Sequence, residues 1–92
     1  MKTIESNQYL VKQLSNQEWH FFHLPNAGIC FRKRINSVWQ EYEILFKDGL
    51  GDFNVAVDKN DRIHLVCQDK HGNINYFMYN GRHWQKYLLL QS

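Results

Sequence analysis

His20, His64, Trp39 and Trp84 are the side chains of this sequence best suited to contact a ligand, and they come in pairs. The histidines are matched at a spacing of 44 and the tryptophans at 45. A histidine at matched places could bond one ligand in each half of the chain. Its plainer role is a strand histidine hydrogen-bonded between packed sheets. A tryptophan that follows a turn offers a flat platform for a sugar face, or a wedge between sheets. His20 and His23 are three apart, so on a strand they face opposite sides and cannot chelate one metal. His71 and His83 fall at turns. Trp19 has Ile63 as its counterpart at the histidine spacing, which marks it as core.

The run Phe31-Arg32-Lys33-Arg34 could touch phosphate, but on a strand its charges split between two faces, as on a solvated surface. Asp48, Asp52, Asp58, Asp61 and Asp69 stand at turns, where aspartate bonds its own backbone, and their spacing is too loose for a calcium loop. No nucleophile–base pair, no paired carboxylates at matched places and no glycine-rich phosphate loop stand out. The chain therefore reads as non-enzymatic, with no metal and no cofactor.

Short β-strands must position these residues. Aromatic and β-branched runs at residues 9–14, 19–23, 29–34 and 38–45 are separated by turn chemistry: a polar stretch at 15–18, Pro25, Asn26 and Gly28, then Asn36-Ser37. After the glycine-bracketed break at 47–52 the pattern restarts. Phe53, Val55 and Val57 alternate with Asn54, Ala56 and Asp58, the period of a strand. Strands at 63–68, 74–79 and 83–90 follow, the last two joined by Asn80-Gly81, a type I′ hairpin signal. No segment carries helical periodicity with caps.

The chain reads as one unit written twice, over residues 1–45 and 46–92. Trp39, Gln40, Tyr42 and Leu45 recur 45 residues on as Trp84, Gln85, Tyr87 and Leu90, and Ile29 recurs as Ile74. Upstream of Gly28 and Gly72 the spacing is 44, where Val11 meets Val55 and His20 meets His64. Ile29, Ile74, Tyr42 and Tyr87 are expected to pack one unit on the next. Four antiparallel strands in such a length suit a β-propeller blade, which hides its two apolar faces only by stacking on neighbours. The fold class is all-β: two four-stranded antiparallel β-propeller blades.

A ring needs about four to eight blades. Two blades per chain therefore imply homo-oligomerisation, with a trimer giving six. A two-blade fragment of a longer repeat protein and a self-closed eight-stranded sandwich or small barrel are the other architectures the pattern admits.

The run IHLVCQDKHGNINYFMYNGRHW resembles the blade repeat of bacterial β-propellers, in which an IHLV-x-x-D strand precedes GNI-x-Y and NG-x-x-W. The layout is similar to that of two-blade lectins that trimerise into six-bladed rings and bind fucose. The resemblance implies a carbohydrate-binding module, with Trp39 and Trp84 at the places of a sugar-stacking tryptophan. Where that family has an arginine and a glutamate this chain has His20 and His64, then Phe31 and Tyr76. A structural or protein-interaction propeller is the alternative function.

Bulk properties bound the partners. Eleven basic against nine acidic residues, a net charge of +2, is too slight a surplus for nucleic acid. The start of the chain has no apolar run long enough for a signal peptide or membrane span. Cys30 and Cys67 lack metal-type spacing and read as reduced thiols of a cytoplasmic protein. At 92 residues a single core is marginal, which again favours self-association.

Overall fold

The computed structural model describes residues 7–91. Residues 1–6, expected to be a loose polar lead, and residue 92 lie outside the described residues. Among the described residues the chain forms nine β-strands and no helix: β1 Tyr9–Lys12, β2 Glu18–Leu24, β3 Gly28–Ile35, β4 Val38–Trp39, β5 Glu43–Phe46, β6 Gly49–Val57, β7 Ile63–Asp69, β8 Ile74–Tyr79 and β9 Trp84–Leu90. They make two antiparallel sheets. The first runs β1-β2-β3-β4, with β5 also on β3; the second runs β6-β7-β8-β9. The chain changes sheet at Lys47 and Asp48.

The strands form where side chains alternate between core and solvent. In β7, Ile63, Leu65, Cys67 and Asp69 are buried while Val66 and Gln68 are exposed. Three hairpin loops share one geometry. The amides of Gln13, Asp58 and Asp69 each bond the carbonyl four residues on, and the amides of Asn16, Asp61 and Gly72 bond back. Those last three residues take positive φ (75, 66 and 83°), which Asn, Asp and Gly adopt at least cost.

Three expectations are corrected. The strand expected at 38–45 breaks after Trp39 and resumes at Glu43; Arg34 pairs with Trp39 and Phe31 with Glu43, so one extra residue is accommodated between them as a bulge, and the β3–β5 register shifts again at Leu45. The break expected at 47–52 is mostly strand, because Gly49 lets β6 begin against the core. A Cβ at Gly49 would lie 2.6 Å from Ile29 Cδ1. Asn80-Gly81 is not the type I′ pair. Only Gly81 has positive φ there (98°), whereas Asn36 and Ser37 both do (52 and 66°) and form that turn.

The ladders of the two sheets match at a spacing of 45 from β1 through Trp39, and at 44 in β5, beyond the extra residue, where Phe31 pairs with Glu43 as Tyr76 does with Tyr87. Leu10 pairs with His20 as Val55 pairs with Leu65, and Val11 with Trp19 as Ala56 with His64. His20 pairs with Arg32 as Leu65 with Phe77, and Arg34 with Trp39 as Tyr79 with Trp84. The spacing of 44 expected upstream of the glycines is therefore replaced: the counterpart of His64 is Trp19, and that of His20 is Leu65. Gly28 and Gly72 misalign the halves because they occupy different places in their turns. The amide that bonds back belongs to Gly72 in one loop and to Ala27 in the other.

The core lies between the sheets. The first contributes Trp19, Phe21, Ile29 and Phe31, the second Phe53, Ile63, Leu65 and Phe77. Trp19 Nε1 donates to Gln13 Oε1 at 2.8 Å, and Gln13 Nε2 donates to the Asp61 carbonyl at 2.8 Å across the sheets. The Asp61 carboxylate in turn accepts from the amides of Leu14 and Ser15. Both cysteines are free and buried, Cys30 in the first sheet and Cys67 in the second.

Candidate functional site

The outer face of the first sheet carries a recess of about 710 Å³ whose rim includes His20, Arg32 and Trp39. Cross-strand pairing sets these residues together. His20 on β2 is opposite Arg32 on β3, and Trp39 enters from β4 opposite Arg34. The Asn36–Ser37 turn is short enough to return Trp39 beside that pair. Its ring lies 5.2 Å from the Arg32 guanidinium and 6.0 Å from the His20 ring. A cation over an indole face is attracted by the ring quadrupole.

His20 is held in one tautomer. Nδ1 accepts from Arg32 Nε at 3.0 Å, so Nε2–H donates to Gln8 Oε1 at 2.9 Å. Burial lowers the pKa of His20, and the Arg32 charge lowers it further. The imidazole is thus a neutral bridge between a cation and an amide. Glu18 closes the far side by an exposed ion pair to Arg34 at 3.1 Å. The chemistry on offer is recognition: an aromatic plane, guanidinium donors and an amide, with leucine surface at Leu10.

The four expected ligand residues do not gather. Trp84 lies between the sheets, with its ring centroid 6.0 Å from those of Trp19 and Phe21 and 5.8 Å from Phe31. It is a core wedge rather than a rim platform. His64 sits on the outer face of the second sheet, the far side of the molecule from His20. It joins a chain in which Tyr76 O–H donates to Nδ1 at 2.5 Å and Nε2–H donates to Asp58 Oδ2 at 2.6 Å. The bond from His64, followed by that from the Arg62 amide, holds the Asp58 carboxyl well below the usual carboxylate range.

The expected packing residues divide similarly. Ile29 is fully buried between the sheets, but Ile74 is half-buried on the outer face. Tyr42 is 49% exposed and meets Phe22 edge-on; Tyr87 is 45% exposed and stacks on Tyr76.

Sequence reasoning missed Arg32, which it assigned to a solvated face; Asp58 stands at a turn and bonds the local backbone as expected, and only its further bond to His64 went unforeseen. The signal for Arg32 was available: it stands at the place of Phe77 in the second half, so an outward-facing charge replaces a core aromatic there. Among the described residues no group of three His, Cys, Asp or Glu could hold a metal ion, and no helix is long and apolar enough to cross a membrane. Comparison with protein-family models, curated proteins and solved structures found no match.

Proposed function

We propose that this chain is a non-enzymatic binding module of the β-propeller type, which completes a ring as a homo-oligomer and takes a carbohydrate-like ligand at Trp39. The observation that carries the reading is the recess of Trp39, Arg32 and His20. A sugar ring presents C–H groups to an indole face and hydroxyls to its edges, and this recess has an indole with guanidinium and amide donors around it. The matching registers of the two sheets support two equivalent four-stranded units. Such units expose apolar faces until they stack, and three chains would supply the six of a closed ring.

The test is a glycan array read beside Trp39→Ala and Trp84→Ala. Binding lost in Trp39→Ala supports the reading. An array without hits for an oligomeric protein leaves the structural or protein-interaction propeller in its place. The Asp58–His64–Tyr76 chain resembles a base-activated hydroxyl, although on an open strand surface. Hydrolysis of an activated ester that disappears in Tyr76→Phe would overturn the non-enzymatic assignment.

A further inference from the structure

We propose that the recess at Trp39 is completed by a second copy of this chain, which lays the outer face of its second sheet on the outer face of the first sheet, head to tail. This deepens the self-association in the reading above and rests on it. The register of the ladders and the choice of buried faces point to it.

With counterparts fixed at a spacing of 45, the two sheets meet through faces that are not counterparts. Trp19, Phe21 and Phe31 form the inner face of the first sheet; their counterparts His64, Val66 and Tyr76 point outward on the second. Leu65, Phe77 and Trp84 belong to the inner face of the second sheet; their counterparts His20, Arg32 and Trp39 point outward on the first. The two outer faces are therefore a second instance of the pair of surfaces already joined inside the chain. Repeating the internal step places the outer second-sheet face of one copy on the outer first-sheet face of another. The contact is heterologous, the kind that closes rings.

The equivalence names the contacts. Trp84 sits among Trp19, Phe21 and Phe31. Trp39 then sits among His64, Val66 and Tyr76 of the second copy. Apolar surface left open on both sides agrees with this: Leu10 is 77% and Ile44 53% exposed on one face, Val66 39% and Tyr87 45% on the other. The recess carries Lys12, Arg32 and the Arg34–Glu18 ion pair, and the opposing face carries Asp58 bonded to His64 and Arg62.

The seam between copies differs from the internal one in a way that suits a ligand. Its residues are smaller or more polar: His64 for Trp19, Val66 for Phe21, His20 for Leu65, Arg32 for Phe77. Volume that aromatic rings fill inside the chain stays open there, lined by polar groups. A ligand on Trp39 would be roofed by Tyr76 and His64 of the second copy.

Two doubly substituted variants test the polarity. Leu10→Lys with Ile44→Lys blocks the first sheet's outer face; Val66→Lys with Tyr87→Lys blocks the second's. All four sites are exposed, and circular dichroism checks the fold. Sedimentation should find the unsubstituted protein as an oligomer and each variant alone at the 11.1 kDa of a single chain. An equimolar mixture should give a dimer of one copy of each and nothing larger. A variant that dimerises alone, or a mixture that stays monomeric while the unsubstituted protein assembles, overturns the head-to-tail seam but not self-association. An unsubstituted protein at the mass of one chain overturns both. Should a lysine variant fail to fold, oxidation of a mixture of Trp39→Cys and Val66→Cys should yield a cross-linked dimer that neither gives alone. Its absence counts against the seam.

Discussion

Gln13 carries a buried polar contact between the two sheets, beside those of the Tyr9 hydroxyl with the Phe53 carbonyl and of the Leu14 and Ser15 amides with Asp61. Gln13 is 7% exposed and bonds Trp19 Nε1 with one end and the Asp61 carbonyl with the other. Gln13→Ala would leave the indole N–H buried without a partner, so a loss of about 1–3 kcal/mol in denaturant unfolding is expected. Gln13→Glu keeps the acceptor for Trp19 but sets a carboxylate oxygen against the Asp61 carbonyl, so it should destabilise as well. Trp84→Ala should cost about 3 kcal/mol, because it opens a cavity among four aromatic rings, whereas Trp39→Ala should leave the stability of the single chain nearly unchanged. The acid response follows from three aspartates. Asp58 is lowered chiefly by His64. For Asp61 and Asp69, burial acts upward but is outweighed by hydrogen bonds, from Ser15 and Leu14 to the first and from Asn73, Asn75 and His71 to the second. All three carboxyls ionise more readily folded than unfolded. Their contribution is complete above the unfolded value of about 4 and is lost as pH falls below it. His20 adds a step at higher pH. Its folded pKa is depressed, so the unfolded chain takes up a proton first and stability declines as pH drops below about 6.5. Urea midpoints measured from pH 7.5 to 3 should fall in two stages, and His20→Gln should remove the upper one.

At the scale of the elements, the strands were legible and the pairing between halves was not. Alternation and turn residues locate the hairpins, because a half-buried strand must alternate and a tight loop needs residues that accept positive φ. Identity between the halves, by contrast, misled by one residue. Val11 and Val55 both pack against the core, and His20 and His64 both point outward, so residue type followed burial; because the two sheets meet through faces that are not counterparts, equal burial falls one residue away from equal register. That slip hid the site as well, since it paired a recess residue with one on the far side of the molecule. The bulge after Trp39 was illegible for a different reason. Gln40, Glu41 and Tyr42 are as compatible with a strand as their counterparts in β9, and only the ladder on β3 shows the extra residue. The Asn36–Ser37 turn carries a prediction of its own. Ser37 holds φ at 66°, a conformation unfavourable by ~1 kcal/mol for a residue with a side chain, so Ser37→Gly should raise the thermal midpoint. Gly28→Ala should lower it, because its φ is 82° and a Cβ would meet the Lys47 carbonyl at 2.5 Å.

For the whole molecule, the two outer faces decide the behaviour. The fold is a thin slab, 18 Å in its shortest dimension, and one seam cannot cover both sides of both sheets. If copies stack, each further seam adds stability by mass action, and the melting temperature should climb with protein concentration. The Val66→Lys, Tyr87→Lys variant should lose that dependence while keeping a cooperative transition. A concentration-independent melt of the unsubstituted protein would count against assembly.

The two buried thiols give this molecule a built-in clock for its own breathing. Cys30 pairs with Ile44 of β5, the short strand beyond the bulge, while Cys67 packs into the core between the sheets. Burial, reinforced by the Asp69 charge against a smaller opposing effect of Lys86, raises the Cys67 thiol to about 11, and burial alone raises Cys30. Neither reacts until its cover lifts. Alkylation followed by mass spectrometry therefore times two separate openings in one experiment: the lifting of a bulged edge at Cys30 and the parting of the sheets at Cys67. Modification should appear first at Cys30, and only the second event should track global unfolding.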